Sequence, residues 1–225
     1  MIKYILARSK RKTIAIHVQS EQVEVRAPVR MPKRDIEKFV TSKEKWILKQ
    51  LAEFRVQKAQ QDAFVLDYGS KLLYRGTEYP LEAGTGRRSG FDGSSFYVPP
   101  NLSSEQMREA CIKIYRVLTR RDLSAKLRAY AEQMGVMPAR LRISSAKCRW
   151  GSCSSQKNLN FSWRLIMAED AVIDYVVVHE LAHLKELNHS ERFWVIVESV
   201  FPDYRERRAK LRELQKRIAI EGWDH

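Results

Sequence analysis

The sequence predicts an α+β fold, on three observations. The first hundred residues carry period-two apolar alternation, interrupted by Gly, Pro and polar turns. A long helical periodicity follows, opened by a capping signature and closed by glycine. Strand character then returns before a final run of helices. With 225 residues and 44% hydrophobic content, the chain has enough apolar surface for one or two cores.

The elements are read in chain order. Residues 13–19 (TIAIHVQ) and 22–27 (QVEVRA) alternate around a polar Ser20–Glu21 turn and predict a hairpin. Pro28 and Pro32 punctuate the chain after it. From Pro32 to about Ala59, apolar residues such as Ile36, Val40, Ile47 and Leu51 recur at spacings near three and four, predicting one helix. Residues 64–100 predict short strands. Within them GTGRRSGFDG lacks a following helix and a Lys-Ser/Thr ending, so it reads as a hairpin loop rather than a phosphate loop. SSEQ at 103–106 caps a helix expected to about Gln133, and Gly135 and Pro138 end it. Strands are expected in RLRISSAKCRW and LNFSWRLIM, joined by GSCSSQKN. Helices are expected over about 169–187, 190–200 and 203–220, with Pro202 dividing the last two. Two parts are expected: 1–100, β-rich with a hairpin and one long helix, and 101–225, which holds the chemistry-bearing motif.

The net charge is +14, which favours acidic partners such as nucleic acid; a solvated basic surface is the plain alternative. The surplus is uneven: +9 over residues 1–60 and +7 over 101–150, against −3 over 151–200. Three cysteines (Cys111, Cys148 and Cys153) argue against a disulfide framework and for a reducing compartment. The first residues lack a secretory pattern and no apolar run reaches membrane-spanning length, so a cytoplasmic, non-membrane protein is expected.

The chemistry concentrates in HELAHLKELNHSERFW at 179–194. Helical spacing puts His179 and His183 on one face, able to present two imidazoles to one metal ion. Glu180 lies at the edge of that face, where its carboxylate reaches a water on the metal without being forced to ligate: the H-E-x-x-H arrangement. Asn188, as a left-handed helix stop, could turn the chain and return His189 as a third ligand. Three ligands leave the open position of a catalytic zinc site. A closed structural site would need a fourth, and Cys148 and Cys153 are the possible donors, awkwardly spaced. Imidazoles on an amphipathic helix with no metal are the remaining reading. Tyr175, one turn before His179, either aids oxyanion binding or packs. Arg149 either contacts substrate or is a solvated charge. Phe193 and Trp194 are expected in the core, holding the His189 turn.

W-G-S-C at 150–153, D-Y-V-V-x-H-E-L-A-H at 174–183 and N-H-S-x-x-F-W at 188–194 occur together and in order. With RSKRKTIAIHV and IEKFVTSKEKWI near the N-terminus, they resemble the YgjP-like metallopeptidase family, described as predicted metal-dependent hydrolases. That family is similar to the SprT-like and WLM zinc peptidases, some of them DNA-associated. The resemblance covers nearly the whole chain. It implies a zincin-like fold, a small mixed or antiparallel sheet with an active-site helix. It also implies His179, His183 and His189 as zinc ligands and Glu180 as catalytic base. The His183–His189 interval is similar to that of the WLM group and lacks the glycine turn of the metzincins. Trp150–Ser154 match the family's W-G-S-C-S segment without receiving a role, and Cys148 departs from the pattern.

The expectation is therefore a zinc metallopeptidase, with a peptide substrate lying along a sheet edge at about 142–150 or 158–166. Two alternatives stay open. One is a zinc amidase acting on a small substrate, which a deep pocket in place of an open groove would mark. The other is a nucleic-acid-binding protein whose peptidase activity is DNA-dependent or secondary. Basic runs such as RVLTRRDLSAKLR support it. Imidazole ligands suit several divalent ions besides zinc.

Overall fold

In the computed structural model, which describes residues 2–19 and 21–223, the chain forms two units, Met1–Phe64 and Val65–His225. In the first unit, β1 (Ile5–Ser9), β2 (Ala15–Gln19) and β3 (Gln22–Pro28) pair in the order β1-β3-β2. β2 and β3 form the expected antiparallel hairpin. Ser20 of the expected turn lies outside the described residues, while Glu21 turns the chain with φ 62°. β1, which the alternation did not mark, pairs parallel to β3. Val23, Val25 and Ala27 point to one side and bury against Ile36, Val40 and Ile47.

Those last residues belong to two helices, α1 (Lys33–Ser42) and α2 (Glu44–Ala63), where the periodicity predicted one. The Ser42 hydroxyl donates to the Phe39 carbonyl at 2.7 Å, and the Lys43 N–H bonds back to Val40 at 3.1 Å. Side-chain bonding of this kind competes with the helical ladder. Lys43 therefore leaves helical geometry (φ −104°, ψ 6°).

The second unit begins with a sheet of β4 (Lys71–Tyr74), β5 (Thr77–Ala83), β6 (Gly90–Phe91) and β7 (Phe96–Val98), ordered β4-β5-β7-β6. The expected hairpin loop is corrected here. Residues 84–89 cross to the far edge of the sheet, and the hairpin turn is at 92–95. There Asp92 Oδ1 accepts from the N–H groups of Ser94 and Ser95, each at 2.8 Å. The domain boundary differs from residue 100 as well. Phe91 and Phe96 pack 4.9 and 6.5 Å from Tyr74, and Phe96 lies 5.4 Å from Tyr115 of α3 (Ser104–Met134). That aromatic burial ties residues 71–98 to α3, so the division falls at Phe64/Val65. α3 carries the capping box read from the sequence, Ser103 with Gln106, and ends on left-handed Gly135 at φ 62°.

β8 (Arg140–Ser144), β9 (Gly151–Cys153) and β10 (Asn158–Ser162) form a small mixed sheet ordered β8-β10-β9. β8 runs parallel to β10 and β9 antiparallel to it. A 3-10 turn, Trp163–Met167, leads to α4 (Asp170–Ala182), then α5 (Glu191–Val200) and α6 (Tyr204–Ile220). α4 is buried at nine of its positions, from Val172 to Ala182, as a helix apolar all round must be.

Its N-terminus is held from two sides. The β4–β5 hairpin turns through Arg75 and Gly76, both at positive φ (52° and 79°), the two-residue turn that matches strand twist. Their N–H groups donate to Ile166 and Met167 at 2.8 and 3.2 Å. A Cβ on Gly76 would come within 3.1 Å of the Glu169 Cα, so only glycine fits against the helix start. Arg75 Nε meets Asp170 at 2.8 Å. Lys126 of α3 reaches Asp170 at 3.2 Å and Asp174 at 2.6 Å. No helix among the described residues is long and apolar enough to cross a membrane.

Arg164 ties Trp223, which follows α6, to the segment before β9. It is 3% exposed and donates to Trp223 O at 2.7 Å, Ser145 O at 3.2 Å and Ala146 O at 3.4 Å. Its guanidinium lies 4.5 Å from the centre of the Trp163 ring. Arg164→Met keeps apolar bulk and strands these carbonyls. It should lower stability by about 2–4 kcal/mol in urea unfolding.

Candidate metal centre

α4 delivers the paired imidazoles. His179 lies in its last turn and His183 caps it. The expected continuation to Leu187 is replaced by a tight reversal, in which Leu184 N bonds Leu181 O and Glu186 N bonds Ala182 O at 3.0 and 2.9 Å. Asn188 is not the left-handed stop read from the sequence. The positive-φ residues other than glycine among those described are Glu21, Arg75, Asn101 and Lys157. The local turn reverses the chain by itself, and Ser190 then caps α5 by accepting from Phe193 N at 3.4 Å. His189 stands just before that cap.

The ligand atoms of His179, His183 and His189 all lie within 4.8 Å of one another, the cluster of this kind found among the described residues. Neither Cys148 nor Cys153 joins it. All three cysteines are free thiols.

Phe193, fully buried, forms a floor beneath the three imidazoles, its ring 4.9, 4.5 and 4.7 Å from those of His179, His183 and His189. Trp194 sits 5.7 Å from His189 and stacks on Tyr204 at 5.0 Å. The expected anchoring role is thus performed largely by Phe193, on all three histidines at once.

These residues fit a metal ion. His179 Nε2 and His189 Nε2 face each other at 3.1 Å. Two nitrogens on a tetrahedral zinc with legs of about 2.0–2.1 Å would stand about 3.3–3.4 Å apart. The Glu186 carbonyl accepts from His183 Nδ1 at 3.1 Å. A carbonyl cannot donate, so the proton sits on Nδ1 and Nε2 keeps its lone pair for a metal. Burial pulls His179 down to about 3, helped by the neighbouring His183, His189 and Arg208. His183 is lowered by burial too. Both rings are therefore neutral near pH 7, as ligands must be.

Glu180 is 5% exposed, and its Oε2 has no hydrogen-bond partner. Burial pushes its carboxyl up to about 8, against the pull of Arg149. Above it lies β9. A Cβ built on Gly151 would fall 2.5 Å from Glu180 Oε1 and 2.6 Å from its Cγ. The W-G-S-C segment thus has a physical role: its glycine lets the strand backbone pass directly over the carboxylate. The sequence carried a signal for this, since glycine inside a strand marks close approach of another group.

A cavity of about 370 Å³ opens beside His179 and Glu180, walled by Arg149, Trp150, Tyr175 and residues of α6. Tyr175 is buried, with its ring 5.8 Å from His179 and 6.5 Å from Tyr204, so it packs and lines the cavity together. Arg149 is exposed at the rim. Sequence reading missed the α6 contribution altogether. Of the two expected edges, 158–166 is excluded, because β10 is the central strand with both sides paired. The other, 142–150, takes in the end of β8, itself an edge strand, and the segment leading to β9. β9, just outside both expected stretches, is the opposite edge and the one that packs on α4.

Three imidazoles that could hold a metal ion, a buried carboxylate and an adjoining cavity are the parts a metal-dependent hydrolase needs. The profile of the family described as YgjP-like, metallopeptidase domain, matches residues 12–214, and the chain belongs to that family. Among curated proteins, none matches significantly. Among solved structures, the crystal structure of the metallopeptidase zymogen of Pyrococcus abyssi abylysin is similar over 40% of this chain and 90% of that one. Identity is 26% and the TM-score 0.37, too loose a likeness to argue from.

Gly151→Ala should displace the Glu180 carboxylate and leave the histidines untouched. Metal content by atomic emission should be unchanged, and kcat for peptide hydrolysis should fall about 10- to 100-fold.

Proposed function

We propose that the chain is a zinc-dependent peptidase of the zincin-like type, with His179, His183 and His189 as ligands and Glu180 as general base. One observation carries this reading: three imidazoles converge beside a buried carboxylate oxygen that no protein group satisfies. When bound, the ion supplies Lewis acidity, making a ligated water more acidic and polarising a carbonyl.

The protein's own groups do the rest. In its ionised form, which a cation held by the three histidines would favour against the burial that raises its pKa to about 8, Glu180 would take the proton of the attacking water through its unpartnered oxygen and pass it to the leaving amine. Gly151 and the buried α4 backbone hold that carboxylate in place. Glu186 keeps His183 in one tautomer through its carbonyl. Phe193 restricts the rotation of all three imidazoles. The β9 edge has free backbone groups on its outer side, so an extended peptide can add there as a further strand. Tyr175 and Arg149, on the cavity wall, are the candidate donors to oxygen charge developing on the carbonyl.

Glu180→Gln should retain a full zinc complement and lose hydrolysis by roughly a thousandfold or more, measured as release of new amino groups from a peptide mixture. Activity near the parent level in that variant would remove Glu180 as base. His183→Ala should be purified without stoichiometric zinc; a full complement there would dismiss the three-histidine site.

A further inference from the structure

α6 carries seven basic residues. Five are neutralised by carboxylates: Arg205 by Glu198 at 3.3 Å, Arg207 by Asp203 at 2.9 Å, Lys210 by Glu169 at 2.5 Å, Lys216 by Glu213 at 3.2 Å, and Arg217 by Glu78 and Glu221 at 2.8 and 2.6 Å. Arg208 and Arg212 have no carboxylate partner among the described residues. They are four apart, hence on one helix face, and that face walls the cavity beside His179 and Glu180. Arg149, two residues before β9, lines the same cavity and has no ion pair among the described residues. Between these guanidinium groups the wall is aromatic and aliphatic, with Trp150, Tyr175 and Leu211.

Pairing on this helix thus fails only toward the site. Two arginines at i,i+4 repel mildly, and a third across the cavity adds to that repulsion. An incoming anion relieves it. A guanidinium is a planar fork of donors matched to a carboxylate, and its charge-assisted bonds are stronger where an apolar wall excludes water. Arg149, Arg208 and Arg212 line the same cavity as His179, Glu180 and Tyr175.

We propose that this cavity is a specificity subsite for a carboxylate-bearing residue next to the scissile bond, recognised by Arg208, Arg212 and Arg149. The carboxylate is either an acidic side chain or the peptide's own C-terminus. The assignment rests on the peptidase reading above for its scissile bond. A volume of about 370 Å³ is at the lower end of ordinary ligand pockets and suits a residue or two rather than a folded partner.

The test uses peptides identical except for Glu, Gln or Lys at each position in turn, every one made with a free and an amidated C-terminus. Binding to zinc-loaded Glu180→Gln is followed by calorimetry, and cleavage by the parent protein by mass spectrometry. Carboxylate peptides should bind about tenfold or more tightly than their amide counterparts. Arg208→Gln with Arg212→Gln should erase that preference, and Arg212→Glu should turn it toward Lys. Both arginines are exposed, so the melting temperatures of these variants should match the parent. A preference that survives C-terminal amidation assigns the subsite to acidic side chains, and one confined to free C-termini assigns it to the terminal carboxylate. Equal binding of Glu, Gln and Lys peptides in both terminal forms, or no binding of any, overturns the proposal. Carboxylate-selective binding with no cleavage of any peptide counts against the peptidase reading and leaves the subsite standing. Cleavage without carboxylate preference does the reverse.

Discussion

The second unit is organised by one constraint: α4 is apolar around its whole circumference and must be enclosed. Val172, Ile173, Val176, Val177, Val178 and Leu181 are all buried, and each returns a large favourable contribution only if water is excluded on every side. α3, α5, α6 and β9 all pack on it. His179 and Glu180 are the polar groups placed in the enclosed stretch. An unsatisfied polar atom at that depth costs free energy, yet His179 Nδ1 and Glu180 Oε2 both stand without partners. Departures from polar satisfaction gather where chemistry is performed, and here two of them are adjacent in sequence on the same helix.

The charges around this helix fall into two groups. Those at its N-terminus are paired: Arg75 and Lys126 meet Asp170, and Lys126 also meets Asp174. They fix where the helix starts and add little net field to the interior. Those that line the cavity toward its other end, Arg149, Arg208 and Arg212, have no carboxylate partner among the described residues. Positive charge is therefore left uncancelled at the cavity and cancelled at the helix start. The net charge of +14 conceals this division.

β9 connects the enclosed helix to the surface. Its glycine passes over the Glu180 carboxylate with no room for a methyl group, and its outer side is a free sheet edge. The same three-residue strand thus limits where the carboxylate can go and forms an edge of the sheet. Arg164 and Ser162 hold the approach to it by bonding the carbonyls of Ser145 and Ala146. The buried Trp223, bonded to Arg164, therefore supports β9 from a distance of many residues in sequence.

By itself the sequence determined the local features: the capping box and glycine stop of α3, the β2–β3 hairpin, the helical character of the 170–182 stretch, and the pairing of His179 with His183 on one helix face. Each depends on neighbours within about one helical turn or on a two-residue strand period, so it is written in adjacent residues. Where a local competitor was overlooked, the reading slipped, as with the Ser42 hydroxyl that splits α1 from α2 and the tight turn that replaces a left-handed Asn188. Only the tertiary structure decided which strand is an edge, that residues 71–98 belong with α3, that Phe193 supports all three imidazoles, that Gly151 passes against Glu180, and that arginines of α6 line the cavity beside it. Those are contacts between segments tens of residues apart. No periodicity encodes them, because they arise from how separate apolar surfaces close around one buried helix.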